Sequence, residues 1–438
     1  MFRSRITRGL ATVGIAAIVA AGLAACGPAA STNTTGENQD EDNISLRVMI
    51  FSSNEAHLEL LNGIADVYMA DHPEVTEIEF QSVPSTELRT VIQTQILAGE
   101  GPDLSWGQDG LSAEFINADL VVDVAPALKA DESYEYDDLI PNALALWNRG
   151  EAQYGIPFST STMGLFYNAD MFNAAGVPLP EELIAEGKWT WDEYREILKQ
   201  VTATTGLPGY VARDFQFGAQ LDRIVPIWYA YGARPWSEDG TTCEFTEQPM
   251  VDSMQLLHDM IFEDKTYPQV GQTVDFFAGG AASTNAFVSS SSLLKEVPFN
   301  WGFVPMPAGP DGYTAALYQS SFVAYKSSRN PVAAVDFLKF MTNPENSAQL
   351  AEFFPPIRSS LLTADQLAAV NGVLSAEQLE EVVVDGVNNG VFVPVHPRQG
   401  QVVSAIRAPM DAMFKADADI PAVMESICAA IDPLLAPQ

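Results

Sequence analysis

The sequence predicts an α/β fold in two lobes, the first opening on a mostly parallel sheet flanked by helices. Two observations lead there. Strand-like and helix-like segments alternate from residue 44 in a βαβαβ order, and a second block opens after Tyr154-Gly155-Ile156-Pro157 with its own capped helix. The chain has 438 residues, room for roughly two to four ordinary domains. With 47% hydrophobic and 18% charged residues, it can bury a sizeable core and has no disordered composition.

The elements follow in order. Ile44 to Phe51 is rich in β-branched and apolar residues and reads as a strand. Leu61, Ile64, Ala65 and Tyr68 then recur at helical spacing. Glu77 to Val83 reads as a second strand. A second helix carries Leu88, Val91, Ile92 and Ile96 and ends near Gly99, and Pro102 to Trp106 is a third strand. In the second block Thr190 and Glu193 form a capping box ahead of Tyr194, Ile197, Leu198 and Val201. A further helix runs through Met254, Leu257, His258 and Ile261. Asn330-Pro331 starts another, with Ala334, Phe337, Leu338 and Met341 as its stripe, and Asn343-Pro344 repeats the signal. The last helices cover roughly Val402 to Phe414 and Ile420 to Leu434.

Lys and Arg number 22 against 57 Asp and Glu, a formal net charge of −35. Like charge opposes binding to nucleic acid or to an anionic membrane face, so neither is expected as a partner. Four histidines and three cysteines are too few for a His- or Cys-rich metal cluster, and no metal or cofactor is expected. The acidic run Asp131 to Asp138 lacks EF-hand spacing and reads as a solvated face.

The N-terminus reads as an address. Arg3, Arg5 and Arg8 precede an apolar run from Leu10 to Ala25, whose sixteen residues make about 24 Å of helix, short of the ~30 Å hydrocarbon core. That fits residues 1–25 as a signal peptide. Leu23-Ala24-Ala25-Cys26-Gly27 resembles the bacterial lipobox, which implies lipidation at Cys26. Residues 27–43 hold almost no large apolar side chain and read as a flexible tether after the lipidated Cys. The body is therefore expected outside the cytoplasmic membrane, held to its outer face by a lipid. Cys243 and Cys428 remain, in a compartment that permits disulfides; a bridge and two free buried thiols are both open.

Five segments carry a family resemblance. They are Gly101-Pro-Asp-Leu-Ser-Trp106; Tyr154 to Ser161 continued through Leu165 to Phe172; Lys188 to Glu193; Trp301 to Pro307 with Gly309-Pro-Asp-Gly312; and Ser327 to Met341. In this order the chain resembles the extracellular solute-binding lipoproteins of ABC sugar importers, the maltose-binding-like type. The stretch Gly280 to Ser292 departs from the family in lacking its usual tryptophan. The resemblance implies a two-lobed periplasmic-binding-protein-like fold of type II with a ligand cleft between lobes. Residues 44–158 and about 322–362 would form lobe 1, and 159–318 with about 395–438 lobe 2. Crossovers are expected near Phe158 to Thr162, near Tyr318 to Phe322, and between about Ile357 and Pro397.

A sugar has apolar C–H faces and a belt of hydroxyls, so its site needs aromatic plates and polar edges. Trp106, Gln108 and Asp109 end a predicted strand, where open α/β sheets place ligands. Trp228, Tyr229 and Tyr231 resemble the family's second-lobe platform, and Trp301 is a further candidate plate. Ser159 and Thr160 fall at the first crossover, and Tyr318, Gln319 and Ser320 at the second. Arg358 resembles the family's basic position near the cleft.

The function this implies is the substrate-binding component of an ABC transporter. Such a protein is a monomer that captures a carbohydrate, of oligosaccharide size, by lobe closure and passes it to membrane permease subunits. No catalytic residues are expected. A secreted glycosidase needs two carboxyls about 5–10 Å apart, and no motif singles out a pair. No G-x-S-x-G, P-loop or H-E-x-x-H occurs, and Ser292-Leu-Leu-Lys295 lacks companion motifs. The same fold binding a polyamine or a peptide is the other alternative.

Overall fold

The computed structural model describes residues 43–213 and 221–436. The signal peptide, Cys26 and the tether lie outside the described residues.

Strand β1 (Ile44–Ile50) leads into helix α1 (Glu55–Asp71), which starts where the Asn54 side chain accepts the Ala56 N–H. The buried face of α1 is Leu61, Ile64, Ala65 and Tyr68, as the spacing predicts. Strand β2 (Val75–Ser82) lies parallel to β1, and α2 (Leu88–Leu97) stops just before Gly99, whose φ of 75° suits glycine. Strand β3 (Leu104–Gln108) then joins β1 in parallel, and α3 (Asp109–Asn117) follows at once. β3 runs two residues beyond the expected end at Trp106 because Gly107 and Gln108 pair with Ser321 and Ser320 of a later strand.

A small ribbon, β4 (Asn148–Arg149) with β5 (Ala152–Gln153), precedes the long β6 (Ile156–Asn168). The remaining strands are β7 (Val211–Ala212), β8 (Ser283–Phe287), β9 (Trp301–Val304), β10 (Ala316–Ala324) and β11 (Val391–Phe392). Among the described residues one sheet runs β2-β1-β3-β10-β6-β8-β7, with β11 beside β10 and β9 beside β6. β10 is antiparallel to both β3 and β6.

β6 and β10 organise the molecule. Ile156 and Phe158 at the start of β6 belong to one apolar core, together with Phe322 and Ala324 of β10. Met163, Leu165 and Tyr167 at the other end of β6 belong to a second core, with Ala316 and Tyr318. Between these apolar ends both strands turn polar: Ser159 to Thr162 on β6, Gln319 to Ser321 on β10. A polar middle joining two apolar ends lets each core pack independently while the backbone ladder stays continuous. β11 pairs with Ala316 and Leu317 of β10, which puts a third strand beside these two within the interval expected for a third crossing.

The late helices follow their sequence signals. Pro331–Met341 buries Ala334, Phe337, Leu338 and Met341. Gln399–Met410 and Ile420–Leu435 pack on the second core through Val402, Ile406, Ile427 and Ile431. Cys243 and Cys428 are joined by a disulfide, with Cα atoms 5.4 Å apart, which pins the loop before helix Gln248–Phe262 to the last helix.

Candidate binding site at the crossover strands

The polar middle of β6 and β10 meets the end of β3 and the start of α3. Register sets the neighbours: Ser320 lies opposite both Gln108 and Ser159, and Gln319 opposite Thr160. The Asp109 carboxylate accepts the Gln319 backbone N–H at 2.9 Å. The Gln319 side chain donates to Ala143 O at 2.5 Å and to Thr160 Oγ1 at 3.2 Å, while its own Oε1 accepts from Ser321 Oγ at 3.3 Å. Gln319 is thereby held rigidly, with every polar group of its amide engaged.

On the other side, Tyr318 OH donates to Asp222 O at 2.5 Å and its ring meets Phe287 edge-on at 5.1 Å. The Arg223 guanidinium lies 4.9 Å over the Phe287 ring and 3.4 Å from the Asp222 carboxylate. Asn285 Nδ2 donates to Arg223 O at 2.8 Å, and Asn285 Oδ1 accepts from Tyr210 OH. Burial pushes the Asp109 carboxyl well above the usual carboxylate range. The Gln319 N–H pulls the other way, and the Asp222 charge adds to the rise. Burial likewise raises the Tyr318 phenol, with the Asp222 charge adding to it. A carboxyl, a guanidinium and aromatic edges thus lie at one place beside the polar middle of β6 and β10.

Seven of the residues expected at a site are brought together here: Gln108, Asp109, Ser159, Thr160, Tyr318, Gln319 and Ser320. Tyr229 lies near, in the second core with Tyr318; the other five are placed elsewhere. Trp106 is 1% exposed and sits inside the first core, with ring centroids 4.8 Å from Phe158 and 5.1 Å from Phe51. The alternation of β3 turns its side chain inward, so it offers no plate to a ligand. Trp228 lies on helix Val225–Ala230, is 3% exposed, and donates its Nε1–H to the Met254 sulfur. Tyr229, on the same helix, is buried and donates to Phe392 O of β11 at 3.0 Å. Tyr231 is half-buried; the charges acting on its phenol are those of Asp192, Asp252, Arg195 and Asp259, none of them part of the crossover. Trp301 opens β9 opposite Asn168, at the end of β6 remote from its polar middle.

Arg358 is turned into the protein. It is fully buried and donates to three backbone carbonyls: Tyr134 and Thr342 at 2.9 Å, and Glu135 at 3.2 Å. It braces the first core from within, its Nε also donating to Ser347 Oγ at 3.4 Å, with the Asp138 carboxylate 3.6 Å away.

Sequence patterns do not signal Asp222, Arg223, Asn285 or Phe287. The first two sit on a short 3-10 turn, and the others on β8, within the stretch Gly280 to Ser292.

Residues 54–348, more than half of the chain, match the family model described as bacterial extracellular solute-binding protein. The chain belongs to that family. Among curated relatives, this solute-binding protein is 22% identical over 396 residues to a binding protein of Brucella abortus (strain 2308), covering 85% of this chain and 89% of the relative. It is 30% identical over 207 residues to the sn-glycerol-3-phosphate-binding periplasmic protein UgpB of Yersinia enterocolitica, 44% of this chain and 46% of that one. Among solved structures it resembles the ABC substrate-binding protein of Listeria monocytogenes in complex with cycloalternan, with TM-score 0.77, 18% identity, and coverage of 90% and 100%. Maltose-bound MalE3 of T. maritima gives TM-score 0.75 at 20% identity, covering 89% and 100%. The solute-binding protein thus has the maltose-binding-like periplasmic fold, mixed α/β about a central sheet.

Proposed function

We propose that this chain is the substrate-binding component of an ABC importer, that it captures a carbohydrate, and that the capture is a closure of two lobes about β6 and β10. The observation that carries the reading is the polar middle of those two strands set between two separate apolar cores. A ligand that touches both sides of such a hinge favours the closed form by the difference in its contacts, and only by that difference. The lobes in this reading are 44–158 with about 322–362, and 159–318 with about 395–438. Asp109, Gln108, Ser159, Ser320, Tyr318, Asp222 and Arg223 would face the sugar hydroxyls, and the ligand leaves unchanged for the permease. Cys26, outside the described residues, would carry the lipid that keeps the protein at the outer face of the membrane. The protein would work as a monomer.

Similarity to sn-glycerol-3-phosphate-binding proteins over part of the chain favours a second reading, a phosphorylated polyol. The net charge of −35 and the Asp222 carboxylate beside the crossover oppose a dianion there. A thermal-shift screen against mono- and oligosaccharides, glycerol phosphates and spermidine separates the readings, because a ligand that binds only the native state raises the melting temperature with concentration. A neutral saccharide is expected to give the shift, with titration at one per chain and no change in the saccharide on chromatography. A shift with spermidine or glycerol phosphate alone, or cleavage of the sugar, would overturn the reading.

A further inference from the structure

The turn Leu221–Ile224, which brings Asp222 and Arg223 to the crossover, is gripped by side chains of two strands. From β10, Tyr318 OH donates to Asp222 O at 2.5 Å. From β8, Asn285 Nδ2 donates to the next carbonyl, Arg223 O, at 2.8 Å. Leu221 and Ile224 anchor the two ends of the turn in the second core. A 3-10 turn of four residues has little stability of its own, so the two outside donors set its middle.

Asn285 is fully buried, and each part of its amide is committed. Its Oδ1 accepts from Tyr210 OH at 3.0 Å, and Nδ2 also donates to the Met163 sulfur at 3.2 Å. Burial raises the Tyr210 phenol well above its ordinary value, so this donor keeps its proton. The amide is therefore fixed in direction: turned over, it would set its oxygen against the Arg223 carbonyl. Burying an amide is costly unless hydrogen bonds offset the loss of water, and a side chain needed only for packing would be apolar.

Phe287 lies two residues further along β8, so its side chain leaves the strand on the same face as that of Asn285. It takes the other end of Arg223, whose guanidinium lies 4.9 Å over the ring and 3.4 Å from the Asp222 carboxylate. Tyr318 meets the same ring edge-on at 5.1 Å. One face of β8 thus holds both the main chain and the head of Arg223. The Arg223 side chain keeps 16% of its surface open, so it is braced and still within reach of a ligand.

We propose that Asn285 is a positioning residue of the crossover site: its grip on the Arg223 carbonyl, shared with Tyr318, presents the guanidinium to the ligand as a fixed donor. A guanidinium has donors only, so what it meets is an oxygen with free lone pairs, such as a ring or hydroxyl oxygen of a neutral saccharide. The nature of that oxygen rests on the carbohydrate reading.

The test follows the Arg223 Nε–H signal by magnetic resonance in the full-length protein, with isotopically labelled arginine and no ligand. Loss of one signal in Arg223→Lys assigns it. The Phe287 ring current displaces this signal, so Phe287→Leu should return it to the position of a free guanidinium. Asn285→Leu should do the same, while the signal of Arg195, held by Asp259 and Asp264, stays in place. Asn285→Ala, which asks for no extra room, serves if Asn285→Leu does not fold. A packing role alone would lower the denaturant midpoint and leave the Arg223 signal where it is, and that result would overturn the proposal. Titration with the saccharide that raises the melting temperature gives the second readout. Its Kd should rise about tenfold in Arg223→Ala, and adding Asn285→Leu to that variant should change it little further. An unchanged Kd in Arg223→Ala would overturn the donor role. Because the signal is read without ligand, its return in Asn285→Leu alongside a failed saccharide screen would sink the carbohydrate reading and leave the positioning standing.

Discussion

The carboxylate of Asp109, the first residue of α3, accepts the backbone N–H of Gln319 in the middle of β10 at 2.9 Å. One half-buried acid thus ties a helix start to a crossover strand.

The tie has a pH signature. Burial raises the Asp109 carboxyl well above its ordinary value, so the folded protein holds this proton more tightly than the unfolded chain does. Its contribution to stability is full below the unfolded value, near pH 4, and is lost as pH rises through the folded value. Asp109→Asn keeps an acceptor for Gln319 and cannot ionise. Relative to the parent, this variant is expected to gain stability progressively as pH rises above about 4 and to show little gain at pH 4. Urea unfolding at several pH values measures it; a gain that is flat across the range would refute the assignment.

Trp106 and Trp228 are expected to matter for folding and not for ligand contact. Each is buried, and replacing either by Ala opens a cavity costing about 3–5 kcal/mol. Trp106 Nε1 has no hydrogen-bond partner, so Trp106→Phe should cost much less than Trp106→Ala. The comparison is denaturant midpoint against saccharide affinity on the same preparations. If Trp106→Phe weakens affinity tenfold while its midpoint holds, the residue touches ligand after all.

These tryptophans show where sequence reading reaches its limit. Apolar spacing locates α1 and the helix Pro331–Met341 because one face of each packs on one core, a relation local in the chain. The crossover residues Ser159, Thr160 and Gln319 come from the family resemblance, which maps crossings near Phe158 to Thr162 and Tyr318 to Phe322, and the structure sets all three in the long strands β6 and β10. Which face an aromatic residue presents depends on partners far away in sequence. Trp106 meets Phe158, Phe322 and Phe354, and nothing near residue 106 announces them.

Arg358 is expected to be a folding residue whose loss leaves saccharide affinity of the folded fraction unchanged. Its side chain satisfies the carbonyls of Tyr134, Glu135 and Thr342, and Glu135 sits at a φ of 53°, a left-handed conformation that its neighbours must hold. Arg358→Ala removes all three donors and should cost about 3–5 kcal/mol. Arg358→Lys supplies a point charge in place of a planar fork and should recover only part of that. Chemical denaturation ranks the three proteins, and parental stability in Arg358→Ala would contradict the bracing role.

The disulfide supports the second core from outside the sheet. Cys243 and Cys428 are 185 positions apart, so the bridge removes a large loop from the unfolded ensemble, and losses of this kind run to about 2–5 kcal/mol. The bridged loop also places Gly240 against the ring of His396, in the segment that leads from β11 to helix Gln399–Met410. Reduction should therefore lower the unfolding midpoint, and the double variant Cys243→Ser with Cys428→Ser should match the reduced protein. Neither change touches the crossover residues, so saccharide affinity should stay within about twofold at temperatures where the variant is folded, a difference of about 0.4 kcal/mol. Unfolding curves with and without reductant, together with a thiol count in denaturant, decide the matter: two titratable thiols at Cys243 and Cys428 before reduction would show that the bridge does not form.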